Sequence, residues 1–317
     1  MTQHEITRRD FLAAATLAVA AGRTPTLIAQ PTDPSPHPDV VQVNSDFAVR
    51  GRRVHHTVVP EMIQTALRQV TGRSSTAEAW QSLFRADDVI GLKCNRSAAP
   101  GLGTSDPFAS AVIDSLLSAG FERRQIVGIE VGADVYKKNG ILRPTRGWLT
   151  TPVKFASGED HLSAVLDQVT AIINIPFLKT HNIAGITCCL KNLSHGLIKH
   201  PARFHGSNCS PYIADIAGLP QIRDKVRLNL VNALRVVFDR GPEARDEFTW
   251  DAGILLASTD MLACDTVGLN IINIERKILG LGDVDAGTRR TLYLAAASER
   301  GLGKGDLHRI ELRTHRI

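Results

Sequence analysis

Lysine and histidine crowd one stretch of the chain. Residues 172–181 read Ile-Ile-Asn-Ile-Pro-Phe-Leu-Lys-Thr-His, and the run continues through Lys191 and Asn192 to His195, His200 and His205. An ammonium group in apolar surroundings must find an anion or lower its pKa. Lys179 and Lys191 are therefore candidates for catalysis or for holding an anionic ligand. An imidazole titrates near neutrality, ordinarily at about 6.5, so His181 suits proton transfer as acid or base. His195, His200 and His205 recur every five residues, and five residues advance a helix by about 500°. The three rings can meet only from a loop, which Pro201 supports. There, with Cys209 or His181, they are candidate metal ligands through imidazole nitrogen.

The elements that must position these groups follow from apolar spacing. Residues 169–175 form an apolar run broken only by Thr170 and Asn174, which suits a strand buried on both faces of a parallel sheet. Pro176 cannot donate to a ladder and ends it. The Lys-Thr-His triplet then lies beyond the carboxyl end of a strand, where open α/β sheets bind ligands. Upstream, apolar residues 59, 62, 63, 66, 67 and 70 have helical spacing and Gly72 stops the helix; Ser75 and Thr76 offer caps for a second helix. A strand over 89–95, a helix opening at Ser105-Asp106-Pro107 and a strand over 125–131 ending near Glu130 make a β-loop-α-β unit. Further helices are expected over 134–140, 160–168, 211–219, 261–279 and 286–299, and strands over 228–231, 253–257 and 308–312. This alternation predicts an α/β fold, a three-layer sandwich with a mainly parallel sheet.

Asp106, Asp260 and Asp265 sit near helix starts, where capping accounts for the first two. Helix starts after parallel strands also face the crevice, so all three join Thr180, Asn192 and Asn95 as candidate ligand-binding residues. The loop Pro100-Gly101-Leu102-Gly103-Thr104-Ser105 has the context of an anion cradle, but it is neither a Walker loop nor Gly-x-Gly-x-x-Gly.

Composition narrows the classes. Basic residues are scattered and aromatic residues make up 5%, which argues against a nucleic-acid partner. Thr-Arg-Arg-Asp-Phe-Leu at 7–12, followed by an alanine-rich apolar run over 13–21, resembles a twin-arginine export signal. That run is shorter than the about 20 residues needed to span a bilayer. The expected organisation is a signal segment at 1–29, a proline-rich linker at 30–45 and a single α/β domain at 46–317, with no transmembrane span in the mature domain. The export machinery is then a partner, and the location periplasmic or secreted. This route carries folded proteins, often already loaded with a cofactor, so a metal or a covalently held organic cofactor is a further expectation. Five cysteines without a Cys-x-x-Cys pair argue against a disulfide framework and against a self-contained zinc or iron–sulfur motif.

Ile-Asn-Ile-Pro-Phe-Leu-Lys-Thr-His at 173–181, with Gly185-Ile186-Thr187 and Leu190-Lys191-Asn192, resembles the signature of the family catalogued as domain of unknown function 362. Gly91-Leu92-Lys93-Cys94-Asn95, Arg240-Gly241-Pro242 and Ser258-Thr259-Asp260 with Asp265 extend the likeness over residues 88–303. Many relatives carry a ferredoxin-like iron–sulfur segment; this chain lacks its cysteines, so no cluster is implied. Asn232 stands where relatives often have an acid. A second likeness joins His181, Ala184-Gly185 and Lys191, whose spacing is similar to that of nickel-pincer lactate racemases. There the histidine is an acid/base and the lysine carries the pincer; here Cys188 and Cys189 replace the glycines before that lysine. These readings lead to one expectation and an alternative. The first is an exported enzyme, of redox or isomerase chemistry, binding an anionic small molecule or organic cofactor against Lys179, His181 and Lys191. The alternative is a non-catalytic periplasmic binding protein for a carboxylate, phosphate or metal ion.

Overall fold

Successive residues of a strand point to opposite faces, and residues 171–174 sort the protein accordingly. Ile172 packs into one hydrophobic cluster, whereas Ala171 and Ile173 pack into another. The computed structural model describes residues 37–286 and 290–317; the export segment expected at 1–29 lies outside them. Its strands are β1 (Val40–Asn44), β2 (Val49–Arg50), β3 (Arg53–Val54), β4 (Ile90–Lys93), β5 (Ile126–Ile129), β6 (Val153–Phe155), β7 (Gly158–Asp160), β8 (Ala171–Asn174), β9 (Phe177–His181), β10 (Gly185–Thr187), β11 (Val226–Val237), β12 (Thr249–Ser258) and β13 (Leu312–Arg316). The longer helices, or those that bear on the site, are α1 (Val58–Thr71), α2 (Thr76–Leu83), α3 (Ser105–Ser118), α4 (Ala133–Asn139), α5 (Cys189–Ser194), α6 (Tyr212–Ala217), α7 (Met261–Ile278) and α8 (Leu292–Glu299).

One sheet runs in the order β13-β1-β12-β11-β8-β4-β5, with β9 also pairing with β11 and β10 pairing with β9. The pairs β11–β8, β8–β4, β4–β5, β11–β9 and β1–β13 are parallel; β12 is antiparallel to both β1 and β11, and β10 to β9. Helices cover both faces. Met62, Ile63 and Leu67 of α1, Trp80 of α2 and Phe108 and Val112 of α3 fill one core. Leu190 of α5, Ile213 of α6, Leu262 and Ile271 of α7 and Tyr293 of α8 fill the other. This is a three-layer α/β sandwich about a mainly parallel sheet.

Local chemistry sets the helix ends where the spacing predicts them. Helix α1 buries the six apolar positions named above and stops at Gly72, whose φ of 64° suits glycine. Helix α2 opens on a capping box: Glu78 N–H donates to Ser75 Oγ and Ser75 N–H to Glu78 Oε2, both at 3.2 Å.

Several expectations need correction. The linker drawn over 30–45 ends earlier, because Val40–Asn44 is a strand paired on both sides, with β12 and β13. Its partners come from the far end of the chain, so no local signal marks it. Pro176 interrupts β8 but does not end the extended chain. Strand β11 is 12 residues long, enough to pair first with β8 and then with β9, and Asn232 N–H donates to Pro176 O at 2.9 Å across the break. Lys-Thr-His therefore lies in a strand and not in a loop. The helix expected over 160–168 is confined to Val165–Gln168, because residues 153–160 form the β6–β7 hairpin. The last strand begins at Leu312, after a turn capped by Asp306.

Candidate functional site

The β9–β10 hairpin and helix α5 build the centre of the site. Alternation along β9 puts Lys179 and His181 on one face and Thr180 on the other. Thr180 Oγ1 accepts from Gly241 N–H at 3.0 Å, so it fastens the Arg240-Gly241-Pro242 turn and stays away from the lysines. Across the hairpin Lys179 pairs with Thr187 and His181 with Gly185, and α5 then returns Lys191 to the cluster. Asp265 holds α5 in place: it accepts from Cys189 N–H at 2.6 Å and from the Tyr293 hydroxyl at 3.3 Å. Burial pushes its carboxyl up to about 7. It is a support of the helix and not a partner of a lysine.

Three lysines of β4, β9 and α5 are buried in this half of the molecule, and they are treated differently. Lys93, at the end of β4, is fully buried; it donates to Cys94 O at 2.8 Å and Asn192 Oδ1 at 3.1 Å and lies 3.3 Å from Glu130 Oε2. Lys179, 1% exposed, donates only to the carbonyl and hydroxyl of Ser97, at 2.9 and 3.0 Å. Lys191 has the His205 imidazole 3.5 Å away. Among the described residues neither Lys179 nor Lys191 forms an ion pair with a carboxylate. Burial therefore lowers both: Lys179 to about 7, helped by the charge of Lys191 and opposed by Glu243, and Lys191 to about 8.

The histidines are neutral in this setting. His181 Nδ1 accepts from the N–H groups of Ile183 and Ala184, each at 3.2 Å, so its proton sits on Nε2. Burial first, then Lys191 and His205, pushes it down to about 3. His205 stacks on His181 with centroids 5.7 Å apart and meets His195 edge-on at 4.8 Å. Burial brings His195 down to about 2 and also lowers His205. The expected trio does not assemble: His200 is exposed and its ring and N–H both bind Asp160, at 2.8 Å. Cys209 takes its place near His195 and His205.

The remaining candidates separate into supports and one orphan. Asn192 donates to Lys93 O and to Asn174 Oδ1, Asn174 donates to Asn229 Oδ1, and Asn229 donates to Ser258 O, a ladder of buried amides with links of 2.8–3.2 Å across the strand ends. Asp260 caps α7 through Ala263 N–H at 2.8 Å. Asp106 accepts from Gly132 N–H at 2.9 Å and, with Arg96, Gly103 and Glu130, borders a cavity of about 230 Å³ at the carboxyl ends of β4 and β5. Asn95 is different. Its Oδ1 is buried with no hydrogen-bond partner, the kind of group a ligand or ordered water completes. A larger cavity, of about 430 Å³, is lined by α1 and α3 and contains none of these residues. The loop at 100–105 is packed: Gly101 and Leu102 carbonyls accept from Arg235 at 3.0 and 3.3 Å. Lys93 is not among the residues expected at the site, although a lysine inside an apolar strand is the same signal that marks Lys179.

A mainly parallel α/β sandwich with buried lysines in β4, β9 and α5 and neutral histidines beside them defines the class. The chain belongs to the family described as Domain of unknown function (DUF362), whose model matches residues 90–270. That span runs from β4 into α7 and includes every lysine and histidine of the cluster. No curated protein matches the chain.

Gly196 tests how closely the cluster is packed. A Cβ there would lie 2.6 Å from both Lys93 Nζ and Asn192 O. Gly-to-Ala changes at unstrained positions stabilise by about 0.4–1 kcal/mol. Gly196→Ala is expected instead to cost about 1–3 kcal/mol, read as a lower urea midpoint at unchanged slope; a raised midpoint would show that Lys93 does not pack there.

Proposed function

We propose that this protein is an exported enzyme that binds an anionic small molecule or organic cofactor between Lys179 and Lys191 and carries out a proton transfer on it. The observation that carries this reading is that the buried Lys179 and Lys191 form no ion pair with a carboxylate among the described residues. Charges removed from water are costly unless paired, and an anionic ligand supplies the missing partner. The orphaned Asn95 Oδ1 supports a polar ligand in the same region.

The hydrogen bonds redistribute the roles expected for these residues. His181 was expected to move the proton. With Nδ1 occupied by two N–H groups, it offers an Nε2–H, which suits it to polarise an oxygen on which negative charge develops. Lys179, lowered to about 7, is populated in both protonation states near neutrality, the condition for an efficient acid/base. Lys191 anchors the anion. Proton transfer next to a stabilised oxyanion is a step of isomerases and of several redox enzymes.

The test is a thermal-shift screen of small carboxylates and phosphate monoesters, followed by calorimetry on hits. Lys179→Met is expected to weaken binding at least about tenfold while the protein stays folded. An anion favours protonated Lys179, so affinity should be greatest below about pH 7 and fall by up to about tenfold per pH unit above it. Binding that is indifferent to Lys179→Met overturns the site, and binding without turnover of any hit leaves a binding protein and removes the enzyme.

Export rests on Arg8-Arg9 and the apolar run after them. Arg8→Lys with Arg9→Lys should hold the chain in the cytoplasm of a bacterium with a working twin-arginine system. Unchanged appearance of the double variant outside the cytoplasm would contradict this route.

A further inference from the structure

We propose that His195, His205 and Cys209 form a transition-metal site that takes a zinc-class divalent ion and leaves one coordination position open beside Lys191. One ligand atom from each residue lies within 4.8 Å of the other two. A tetrahedral ion with bonds of about 2.0–2.3 Å needs these atoms somewhat closer, a closure that side-chain rotations supply. Thiolate with two imidazoles is a donor set for zinc, copper or cobalt rather than for magnesium or calcium. Three protein ligands with a fourth position free is the pattern of catalytic zinc sites.

The surroundings orient His205 as metal sites do, and His195, whose Nδ1 lies 3.1 Å from Ser194 Oγ and whose Nε2 lies 3.2 Å from Phe204 O, gives up one of these contacts to the ion. His205 Nδ1–H donates to Pro201 O at 2.9 Å, which fixes the ring and leaves the Nε2 lone pair pointing into the cluster, the arrangement that backbone carbonyls impose on ligating histidines. The present neighbour of that lone pair, Lys191 Nζ at 3.5 Å, makes a long contact that an ion can replace. Cys209 is fully buried and is delivered by an uncommon backbone: Ser207, Asn208 and Cys209 have φ of 50°, 56° and 61°. Left-handed conformation costs non-glycine residues about 1–2 kcal/mol each, and such strain persists where a site requires it. Binding converts the thiol to thiolate and releases one proton, so a divalent ion leaves the centre with one net positive charge from ion and thiolate together. The other cluster of possible ligands, Cys188, Cys189 and Asp265, is unsuited, since the Asp265 oxygens already serve Cys189, Leu190 and Tyr293.

The experiment uses untagged full-length protein, stripped with chelator and titrated with cobalt(II), then with zinc. One cobalt per chain is expected, with tetrahedral visible bands and a near-ultraviolet thiolate-to-cobalt band that zinc abolishes. Cys209→Ser should lose the thiolate band, Cys209→Ser and His195→Gln should each bind at least about tenfold more weakly, and His200→Gln should behave as wild type. If Cys209→Ser does not fold, the band in the wild type and its weakening in His195→Gln carry the result. Substoichiometric cobalt that washes out, a spectrum without a thiolate band, or loss on His200→Gln but not on His195→Gln overturns the site.

Discussion

Two buried lysines, Lys179 and Lys191, that form no ion pair with a carboxylate among the described residues are the constraint to which the surrounding structure answers. Both lysines are buried, and their ammonium groups contact Ser97 and the His205 ring. A fold selected for stability alone would favour apolar side chains at these positions, because a buried charge is costly unless it is paired. The nearby investments run the other way. Asp265 is buried to hold the start of α5, a ladder of amides ties α5 to β8, β11 and β12, and the third lysine, Lys93, is neutralised by Glu130. These groups fix the positions of Lys179 and Lys191 without satisfying their charge, which is the division of labour between scaffold and ligand site.

The same logic extends to the neighbouring histidines. Charged imidazoles beside two lysines would add repulsion, and burial keeps His181 and His195 neutral. Neutral rings retain lone pairs and N–H donors, which are the features that bind metals and polarise oxygens. The left-handed turn at residues 207–209 adds Cys209 to this group. An ion there and an anion at the lysines would be adjacent, so that one ligand could meet both.

The sequence made the helical half of the fold readable and concealed part of the sheet. Helices α1, α2 and α3 declare themselves through local spacing, the Ser75–Glu78 box and the Asp106-Pro107 start. Strand β1 does not, since what makes it a strand is pairing with β12 and β13, more than 200 residues away in the chain. Pro176 was a sound local reason to stop a strand, but the length of β11 decided otherwise. The lysines and His181 were legible because their polarity conflicts with the apolar run around them. Lys93 carried the same conflict. His200 was misleading: periodic spacing placed it with His195 and His205, while its hydrogen bonds to Asp160, at the end of the β6–β7 hairpin, draw it away.

The most direct measurement is the titration of Lys179 itself, followed by NMR through its ε-methylene resonance with Lys179→Arg for assignment. A midpoint near 7, lowered from the ordinary 10.5 and moving upward when an anionic ligand binds, is the result this account predicts. A midpoint close to 10.5 in the free protein would mean that water or a carboxylate already satisfies the charge, and the case for an anion site between Lys179 and Lys191 would fail.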